Sequence, residues 1–390
     1  MNKENIRKYI RLAILSVVSM IVGSLITIFI RSDGTLKRVS FDYKEFEPLF
    51  EAYDELNDKY YKKLDTSKLV DGAINGMMNS LDDEHSIYFD KESKENFDTE
   101  LSGTYYGIGA QIVSNEDNTV SITKIFDDSP AEKAGLQVDD VFVSIDGKST
   151  ENMDATDVAS TLRSETSKKA TIVINRAGVE KTIEVTKENI TLFSVSSDML
   201  DNNIGYISVS IFGEKTYGQF KNALEELENK NMQSLIIDLR GNSGGYLTTV
   251  SNMLDLFIER GKVIYKMETN GGIKEYRSKG GKGKNYKIVV LIDENSASAS
   301  EIMSAALKEQ YGAALVGKKT YGKGTVQITS NLSDGTMIKY TIEKWLTPSG
   351  NNIDKIGINP DYEVNLSEEY YKNPSNDNDN QLQKALELLK

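Results

Sequence analysis

The amino-acid sequence predicts a multidomain chain of mixed α/β and β architecture with a transmembrane helix at its N-terminus. Three observations lead to this fold class: a long uncharged apolar run near the N-terminus, short β-rich runs in the middle, and strands that alternate with helices in the last half. At roughly 150 residues per domain, 390 residues are enough for two or three domains with sizeable cores.

The composition excludes several classes of function. The chain has no cysteine and a single histidine, His85, so it has no disulfide framework, zinc finger, thiol nucleophile or three-histidine metal site. Its net charge of −13 is unfavourable for binding nucleic acid, which requires a basic stripe along the phosphates. We expect no metal, no cofactor and no nucleic-acid partner.

Residues 12–30 carry no charge and, as a helix, would span roughly 28 Å, about the thickness of a bilayer core. The basic residues around this run modestly favour a cytoplasmic N-terminus. We therefore predict a cytoplasmic tail and transmembrane anchor over residues 1–38, a single pass through the cell membrane, and an extracytoplasmic location for the rest of the chain. A cleaved signal peptide is the alternative, although no small-x-small site follows the run.

The next two regions differ in their hydrophobic period. Residues 39–101 place apolar residues at helical spacing, which predicts a small helical N-terminal region. Residues 102–188 contain the short β-rich runs YYGIGAQIV, TVSITKIF, DVFVSIDG, ATIVINR and KTIEVTK, with one helical stretch around residues 154–163. The second region is therefore predicted to be a small, mostly β domain.

Residues 189–390 alternate strands with helices. The runs IGYISVSIF, SLIIDLR and KIVVLID each precede a helical stretch, which is typical of an α/β layer architecture. The final segment, QLQKALELLK, forms an amphipathic helix that is either docked or free.

Two glycine-rich segments resemble nucleotide-binding loops but do not fit them. The segment 317–323 has the beginning of a P-loop, yet Gly324 stands where Ser or Thr should hold magnesium, and a strand follows instead of a helix. The segment 107–110 lacks the third glycine of a dinucleotide fingerprint. A nucleotide-binding function is therefore disfavoured.

The segment 295–301, NSASASE, lies between a predicted strand and a predicted helix. A hydroxyl and backbone N–H groups at a helix N-terminus can stabilise a developing oxyanion, whereas an ordinary N-cap is the alternative. The pattern does not select one of the three serines. A second junction, DLRGNSGG at 238–245, could supply another N–H group, or its glycines could serve a tight turn.

A nucleophilic serine needs a base. His85 lies in the helical region and is expected to be structural. Lys323 lies between two glycines, which would permit close approach of another segment. A buried lysine has a lowered pKa and can accept a hydroxyl proton as a neutral amine, although a solvated loop lysine is the common alternative.

Together, NSASASE and LVGKKTYGKGTVQ resemble the active-site pattern of the carboxyl-terminal processing, or tail-specific, peptidases, a family of PDZ-containing serine–lysine proteases. The resemblance extends over nearly all of the chain after residue 38, through LDDEHSIYF, YYGIGAQI, SPAEKAGLQVDDVFVSIDG, LIIDLRGNSGG, TPSG and GINPD. It implies a PDZ domain over 102–188 and a crotonase-like α/β serine protease domain over 189–390.

The resemblance also implies roles for individual residues. Ser298 would be the nucleophile, Lys323 the general base and Gln327 the residue that orients the lysine. The N–H groups of Gly244 and Ala299 would form the oxyanion hole. An Asp83–Glu84 pair replaces a common proline, a departure that we expect to leave the chemistry unaffected.

By this resemblance the protein would be a serine endopeptidase that docks substrate C-termini on its PDZ domain, and the anchor predicted from residues 12–30 would make it membrane-anchored. The terminal carboxylate would be held by the loop of Gly107, Ile108, Gly109 and Ala110. The partners would be proteins or peptides with free C-termini, and a homo-oligomer is one assembly that the sequence allows. The alternative is a catalytically silent PDZ scaffold that binds C-termini.

Overall fold

The computed structural model describes residues 43–163, 167–269 and 271–390, and these residues divide into two compact units between Val70 and Asp71. The α-helices of the described residues are α1 (Glu47–Lys59), α2 (Thr66–Asn79), α3 (Lys91–Ser102), α4 (Pro130–Lys133), α5 (Ala155–Arg163), α6 (Thr216–Asn229), α7 (Leu247–Leu254), α8 (Ala299–Ala306), α9 (Glu368–Lys372) and α10 (Asn380–Leu389).

The strands are numbered in the same way along the chain. They are β1 (Ile87–Phe89), β2 (Thr104–Gly107), β3 (Ala110–Ser114), β4 (Val120–Ile125), β5 (Val141–Ile145), β6 (Lys148–Ser149), β7 (Lys169–Arg176), β8 (Val179–Thr186), β9 (Glu188–Thr191), β10 (Val195–Leu200), β11 (Ile204–Val209), β12 (Ser234–Asp238), β13 (Val263–Thr269), β14 (Gly272–Arg277), β15 (Lys287–Ile292), β16 (Ala314–Gly317), β17 (Thr325–Asn331), β18 (Met337–Leu346) and β19 (Tyr362–Glu363).

The predicted fold class is wrong in its transmembrane helix. Within the described residues, no helix has both the length and the apolar character needed to cross a membrane. The longest, α2 and α6, have 14 residues each, which is about 21 Å of helix against a bilayer core of about 30 Å. The run 12–30 lies outside the described residues, so the fold class is corrected to a mixed α/β chain.

The first unit includes a 3₁₀ turn (Tyr43–Phe46) and α1, in which a proline occupies the first turn. Helix α2 crosses the boundary between the units. Helical periodicity correctly predicted the helices of residues 39–101 but not β1, because that strand forms by pairing with β18, far along the chain.

The predicted small β domain is present. Its sheet has the strand order β3-β4-β5-β7-β8, with β6 attached to β5, and strands β2 and β9 form a separate two-stranded sheet. Alternate residues of β7, such as Ile172 and Ile174, are completely buried, as the two-residue period of a half-buried strand requires. Helix α5 closes this core with Val158 and Leu162.

The second half of the chain forms a six-stranded sheet with the order β10-β11-β12-β15-β16-β19. Strands β11 through β19 of this sheet are parallel, and β10 is an antiparallel edge. All five residues of β12 are buried, as expected for a central parallel strand. The carboxyl ends of β12, β15 and β16 therefore meet at one edge, where ligands of such sheets usually bind.

A second sheet, β1-β18-β13-β14 with β17 on β18, contacts helix α8 through β13. It brings the segment before β1 next to the residues before β17. The amphipathic C-terminal helix α10 is docked, with Leu382 and Ala385 buried against β15 and β16. Its N-cap, Asp379, is ion-paired with Arg240 at 2.8 Å between carboxylate and guanidinium atoms.

Candidate active site

The three serines of 295–301 have different surroundings. Ser296 and Ser300 are completely buried, and their hydroxyls donate to the backbone carbonyls of Leu239 (2.9 Å) and Asn242 (2.8 Å). Ser298 is half-buried and lines a cavity of about 630 Å³. We call this the catalytic cavity; it is lined by Phe97, Asp98, Glu100, Leu101, Ile211, Ser243, Gly244, Gly245, Tyr246, Ser298, Lys323, Gln327, Ile328, Thr329 and Lys339.

Ser298 is the N-cap of α8 and has an unusual backbone conformation, with φ 53° and ψ −112°. A positive φ is strained for a residue with a side chain, and such strain is found at functional sites where the surrounding structure enforces it. The small neighbours Ala297 and Ala299 permit the sharp turn. The turn places the Ser298 side chain at the positive end of a helix dipole.

Glu301 enforces this turn and was not predicted as a site residue. Its carboxylate is fully buried and accepts the backbone N–H of Ser298 at 2.9 Å. It also accepts the N–H of Gly322 (2.8 Å), the N–H of Lys323 (2.9 Å) and the hydroxyl of Thr320 (2.6 Å). One carboxylate therefore fixes the backbone of both the nucleophile segment and the lysine segment.

Burial raises the pKa of Glu301, and the hydrogen bonds that it accepts act in the opposite direction. The sequence held one signal for this residue. The S-x-x-E spacing from Ser298 is that of a capping box, in which the glutamate reaches back to the N-cap N–H. The spacing does not reveal the bonds to residues 320–323.

Lys323 is half-buried and lines the catalytic cavity together with Ser298. Burial lowers its pKa, while the nearby carboxylates of Asp83, Glu301 and Glu84 act to raise it. A lysine with a lowered pKa has a larger fraction of neutral amine, which is the form that accepts a proton.

The glycines around Lys323 serve the close approach that the sequence predicted. A Cβ atom on Gly322 would lie 2.9 Å from the Gly357 nitrogen, and one on Gly324 would lie 2.6 Å from Cβ of Asp354. Two bulkier residues would push the 353–357 segment away and displace the lysine with it.

Gln327 lines the same cavity, four residues after Lys323. Its amide donates to the hydroxyls of Thr325 (2.8 Å) and Thr341 (3.1 Å), which hold the side chain between strands β17 and β18. Among the hydrogen bonds of the described residues, Gln327 has none to Lys323, so its orienting role stays a prediction.

The structure brings together the two residues predicted for the oxyanion hole. A Cβ atom on Gly244 would lie 3.2 Å from the Ala299 nitrogen and 2.9 Å from Cβ of Ser298. The Ala299 N–H is the first of α8, where the helix itself supplies no acceptor. The Gly244 N–H, however, donates to the side-chain carbonyl of Asn242 at 2.9 Å.

Asn242 joins the two strand-to-helix junctions and was also missed. It is fully buried; its amide donates to the carbonyl of Val209 (2.8 Å), and its own backbone carbonyl accepts the N–H of Ala297 (3.1 Å). These bonds connect elements that are far apart in the sequence, so no local pattern could have revealed them.

The segment LDDEHSIYF lies near the lysine. The Asp83 carboxylate accepts the backbone N–H of His85 at 3.1 Å and the hydroxyl of Ser86. Burial and the Lys323 charge both lower the pKa of His85, in that order. Glu84 pairs with the His85 ring at 3.7 Å. The Asp83–Glu84 departure therefore contributes negative charge beside Lys323, which the sequence alone did not indicate.

A second lysine in the catalytic cavity was not predicted. The Lys339 ammonium lies 5.3 Å from the Phe89 ring centroid and 5.2 Å from that of Phe97. Burial, followed by repulsion from Lys323, lowers the pKa of Lys339 to about 8. The cavity thus contains two amines whose charges depend on each other.

The loop predicted to hold a carboxylate borders a second cavity, of about 390 Å³, between β3 and α5. We call this the docking cavity; its lining includes Gly107, Ile108 and Ala110 of the loop and Arg163 of α5. Gly109 has φ +78°, and a Cβ there would lie 2.4 Å from Cβ of Ser129. The Ile108 side chain is buried in the domain core. The Tyr105 ring packs against Gly107, and burial raises the Tyr105 pKa.

Comparison with family models matches three parts of the chain. Residues 203–364 match peptidase family S41, residues 122–176 match a PDZ domain, and residues 30–93 match the N-terminal domain of the activating protease CtpB. These matches confirm the family that the sequence motifs resemble.

Individual relatives agree. The carboxy-terminal processing protease CtpA of Bacillus subtilis (strain 168) is 38% identical over 378 residues, covering 96% of this chain and 81% of CtpA. CtpB of the same strain is 39% identical over 323 residues, covering 81% and 67%. A crystal structure described as an S41 protease from Bacteroides fragilis superposes with a TM-score of 0.51 at 16% identity over 85% of this chain and 90% of that one, which shows a common fold.

Proposed function

The chain belongs to peptidase family S41 and is a carboxy-terminal processing protease with a PDZ domain, and on this premise we propose that it cleaves peptides with a Ser298–Lys323 dyad. The observation that carries the proposal is the position of both side chains on one cavity, with both backbones bonded to the buried Glu301 carboxylate. Bonds from both segments to one carboxylate fix the backbones of nucleophile and base relative to each other.

The reaction then follows the ordinary course of acyl transfer. Ser298 Oγ attacks the scissile carbonyl carbon while neutral Lys323 Nζ accepts the hydroxyl proton. The ammonium returns this proton to the leaving amine nitrogen, and the peptide bond breaks to give an acyl-enzyme ester. Water attacks the ester with Lys323 again taking a proton, and the returned proton restores the serine hydroxyl.

The negative charge on the carbonyl oxygen develops at the N-terminus of α8, where the Ala299 N–H donates to it. A second bond, from Gly244, requires its N–H to leave the Asn242 carbonyl. We infer that this exchange occurs when substrate enters, because an oxyanion is a stronger acceptor than an amide oxygen. Gln327, whose amide donates to two threonine hydroxyls, lines the same cavity as Lys323 and Ser298.

Substrates dock through their C-termini in the docking cavity. Backbone N–H groups of the 107–110 loop receive the terminal carboxylate, and the extended peptide pairs with the edge strand β3. The apolar lining, which includes Ile108, Ile112 and Leu162, favours an apolar last residue.

Three variants and one control test the dyad with a peptide that ends in a free apolar C-terminus. Ser298→Ala, Lys323→Ala and Lys323→Arg should each abolish cleavage, since a guanidinium stays protonated at working pH. The matched control is Lys318→Ala, because Lys318 is in the same segment but faces solvent and pairs with Glu294 at 3.3 Å.

Circular dichroism shows whether each variant is folded. An active Lys323→Arg enzyme would refute the proposal that Lys323 is the general base. A wild-type protein that binds C-terminal peptides but cleaves none would support the silent-scaffold alternative.

The location of the catalytic part outside the cytoplasm is a separate proposal, supported only by the sequence around residues 12–30. Protease added to cells without their wall should digest the catalytic part. Its full protection would overturn that location.

A further inference from the structure

A third cavity lies between the docking and catalytic cavities. It has a volume of about 330 Å³, and we call it the bridging cavity; it is lined by Glu100, Gly103, Leu192, Phe193, Ser194, Ser210, Ile211, Gly213, Lys215 and Thr216. It shares Leu192 with the docking cavity, and Glu100 and Ile211 with the catalytic cavity. The bridging cavity therefore adjoins both of the others within the unit 71–390, and we call the three neighbouring cavities the groove.

Helix α3 contributes residues to all three cavities of the groove. Residues at positions 92, 95, 96 and 99 face the docking cavity, which is the i, i+3, i+4, i+7 pattern of one helix face. Residues at 97, 98, 100 and 101 line the catalytic cavity. Opposite faces of the helix thus line the docking and catalytic cavities, and Glu100, near its C-terminus, lines the bridging cavity as well.

Phe193 differs from the other residues of the bridging cavity in being a large hydrophobic residue that is almost fully exposed. Its side chain is 82% exposed, the largest exposure among the large hydrophobic residues described. The residues on either side of Phe193 are nevertheless held by the Gln219 side chain. Its amide nitrogen donates to the backbone carbonyl of Leu192 (3.0 Å), and its side-chain oxygen accepts the N–H (2.9 Å) and the hydroxyl (3.0 Å) of Ser194. The exposed Phe193 ring is therefore attached to a backbone that is fixed by hydrogen bonds on both sides.

We propose that Phe193 is a substrate-specificity residue, whose ring contacts an apolar side chain of the substrate segment between the docked C-terminus and the scissile bond. This inference rests on the proposed function. The occupant follows from adjacency, because the bridging cavity shares lining residues with both the cavity proposed to hold the C-terminus and the cavity that contains Ser298. An exposed aromatic on a fixed backbone provides contact area at little entropic cost.

Exposed aromatic residues also occur singly without a function, so the test must isolate the groove. Two peptides share one cleavage sequence. The long peptide continues with an apolar bridging residue to a free apolar C-terminus, and the short peptide ends soon after the scissile bond. The measured quantity is the ratio of kcat/KM for the long peptide to that for the short one.

Phe193→Ala should lower this ratio roughly tenfold, chiefly through KM, which is the size expected for truncating an aromatic contact. Phe193→Tyr should restore it, because the ring is retained. The matched control is Val179→Ala, at a residue 59% exposed that lines none of the three cavities. An unchanged ratio in Phe193→Ala, or an equal loss in the control, would overturn the proposal.

A binding measurement keeps the proposal separate from the catalytic one. In Ser298→Ala, a long peptide with a photo-crosslinking group at its bridging residue should label residues 192–194. Labelling elsewhere would contradict the groove even if the dyad is right. A wild-type enzyme that turns over neither peptide would instead contradict the proposed function.

Discussion

The docking loop and the catalytic centre are held in place by different kinds of interaction. The loop 107–110 is built on glycine conformations and an apolar core, with Ile108 buried among aliphatic side chains. The catalytic centre is built on buried polar groups, with Asn242, Ser296, Ser300 and Glu301 all fully buried and hydrogen-bonded. Substitutions in the centre should therefore leave buried polar groups without partners, whereas substitutions at the loop should introduce backbone strain or remove apolar packing.

The largest effect should come from Glu301→Gln. The glutamine amide has the same shape as the glutamate carboxylate. Its NH₂ group, however, would face backbone N–H groups that donate hydrogen bonds to the carboxylate in the wild type. We expect at least a hundredfold loss of kcat/KM and a decrease in unfolding free energy of about 3 kcal/mol. Peptide cleavage and urea denaturation measure the two effects. Glu294→Gln, at a residue whose side chain is 58% exposed, should change neither.

The second effect concerns the decrease in unfolding free energy caused by burying the charged Lys323 side chain. Burial lowers the pKa of Lys323 below its ordinary 10.5, so the unfolded chain binds more protons between the two values. Its contribution to stability therefore improves as pH rises toward 10.5. Lys323→Met should unfold at higher denaturant concentration than the wild type at pH 7, and the difference should shrink as pH approaches 10. A less stable variant at pH 7 would show that the charged lysine is structural.

The third effect tests the docking loop. Amidation of the substrate C-terminus removes the carboxylate that the loop is proposed to bind. We expect kcat/KM to fall by roughly 10- to 150-fold, since hydrogen bonds to charged groups contribute about 1.5–3 kcal/mol. Because only the peptide is changed, the unfolding transition of the protein without substrate is the same in both assays. Equal turnover of both peptides would contradict the loop as the carboxylate site.

The smallest effect separates the charges around Lys323. Glu84→Gln removes a carboxylate that raises the Lys323 pKa, so the rise of activity with pH should move to lower pH. The shift should be a fraction of a pH unit, because the Glu84 side chain is 64% exposed and screened by water. Glu184→Gln, a distant exposed carboxylate paired with Lys169, should leave the pH profile in place.

Periodicity and turn residues were enough to predict most elements. The β-rich runs, the alternating strands and helices, and the C-terminal amphipathic helix all appear at the expected places. These signals are local, since burial of one face of a strand or helix repeats at a fixed period. The predicted transmembrane helix is the part of the fold class that the structure corrects.

The sequence by itself determined the family, through motifs whose residues are close in the chain, and with the family it determined which serine and lysine to examine. Only the tertiary structure decided how they are held. The Glu301 bonds to residues 320–323, the Asn242 bonds between two junctions and the placement of Asp83 beside Lys323 all join distant segments. Such contacts depend on which strands become neighbours, and that is settled by packing of the whole sheet rather than by local pattern.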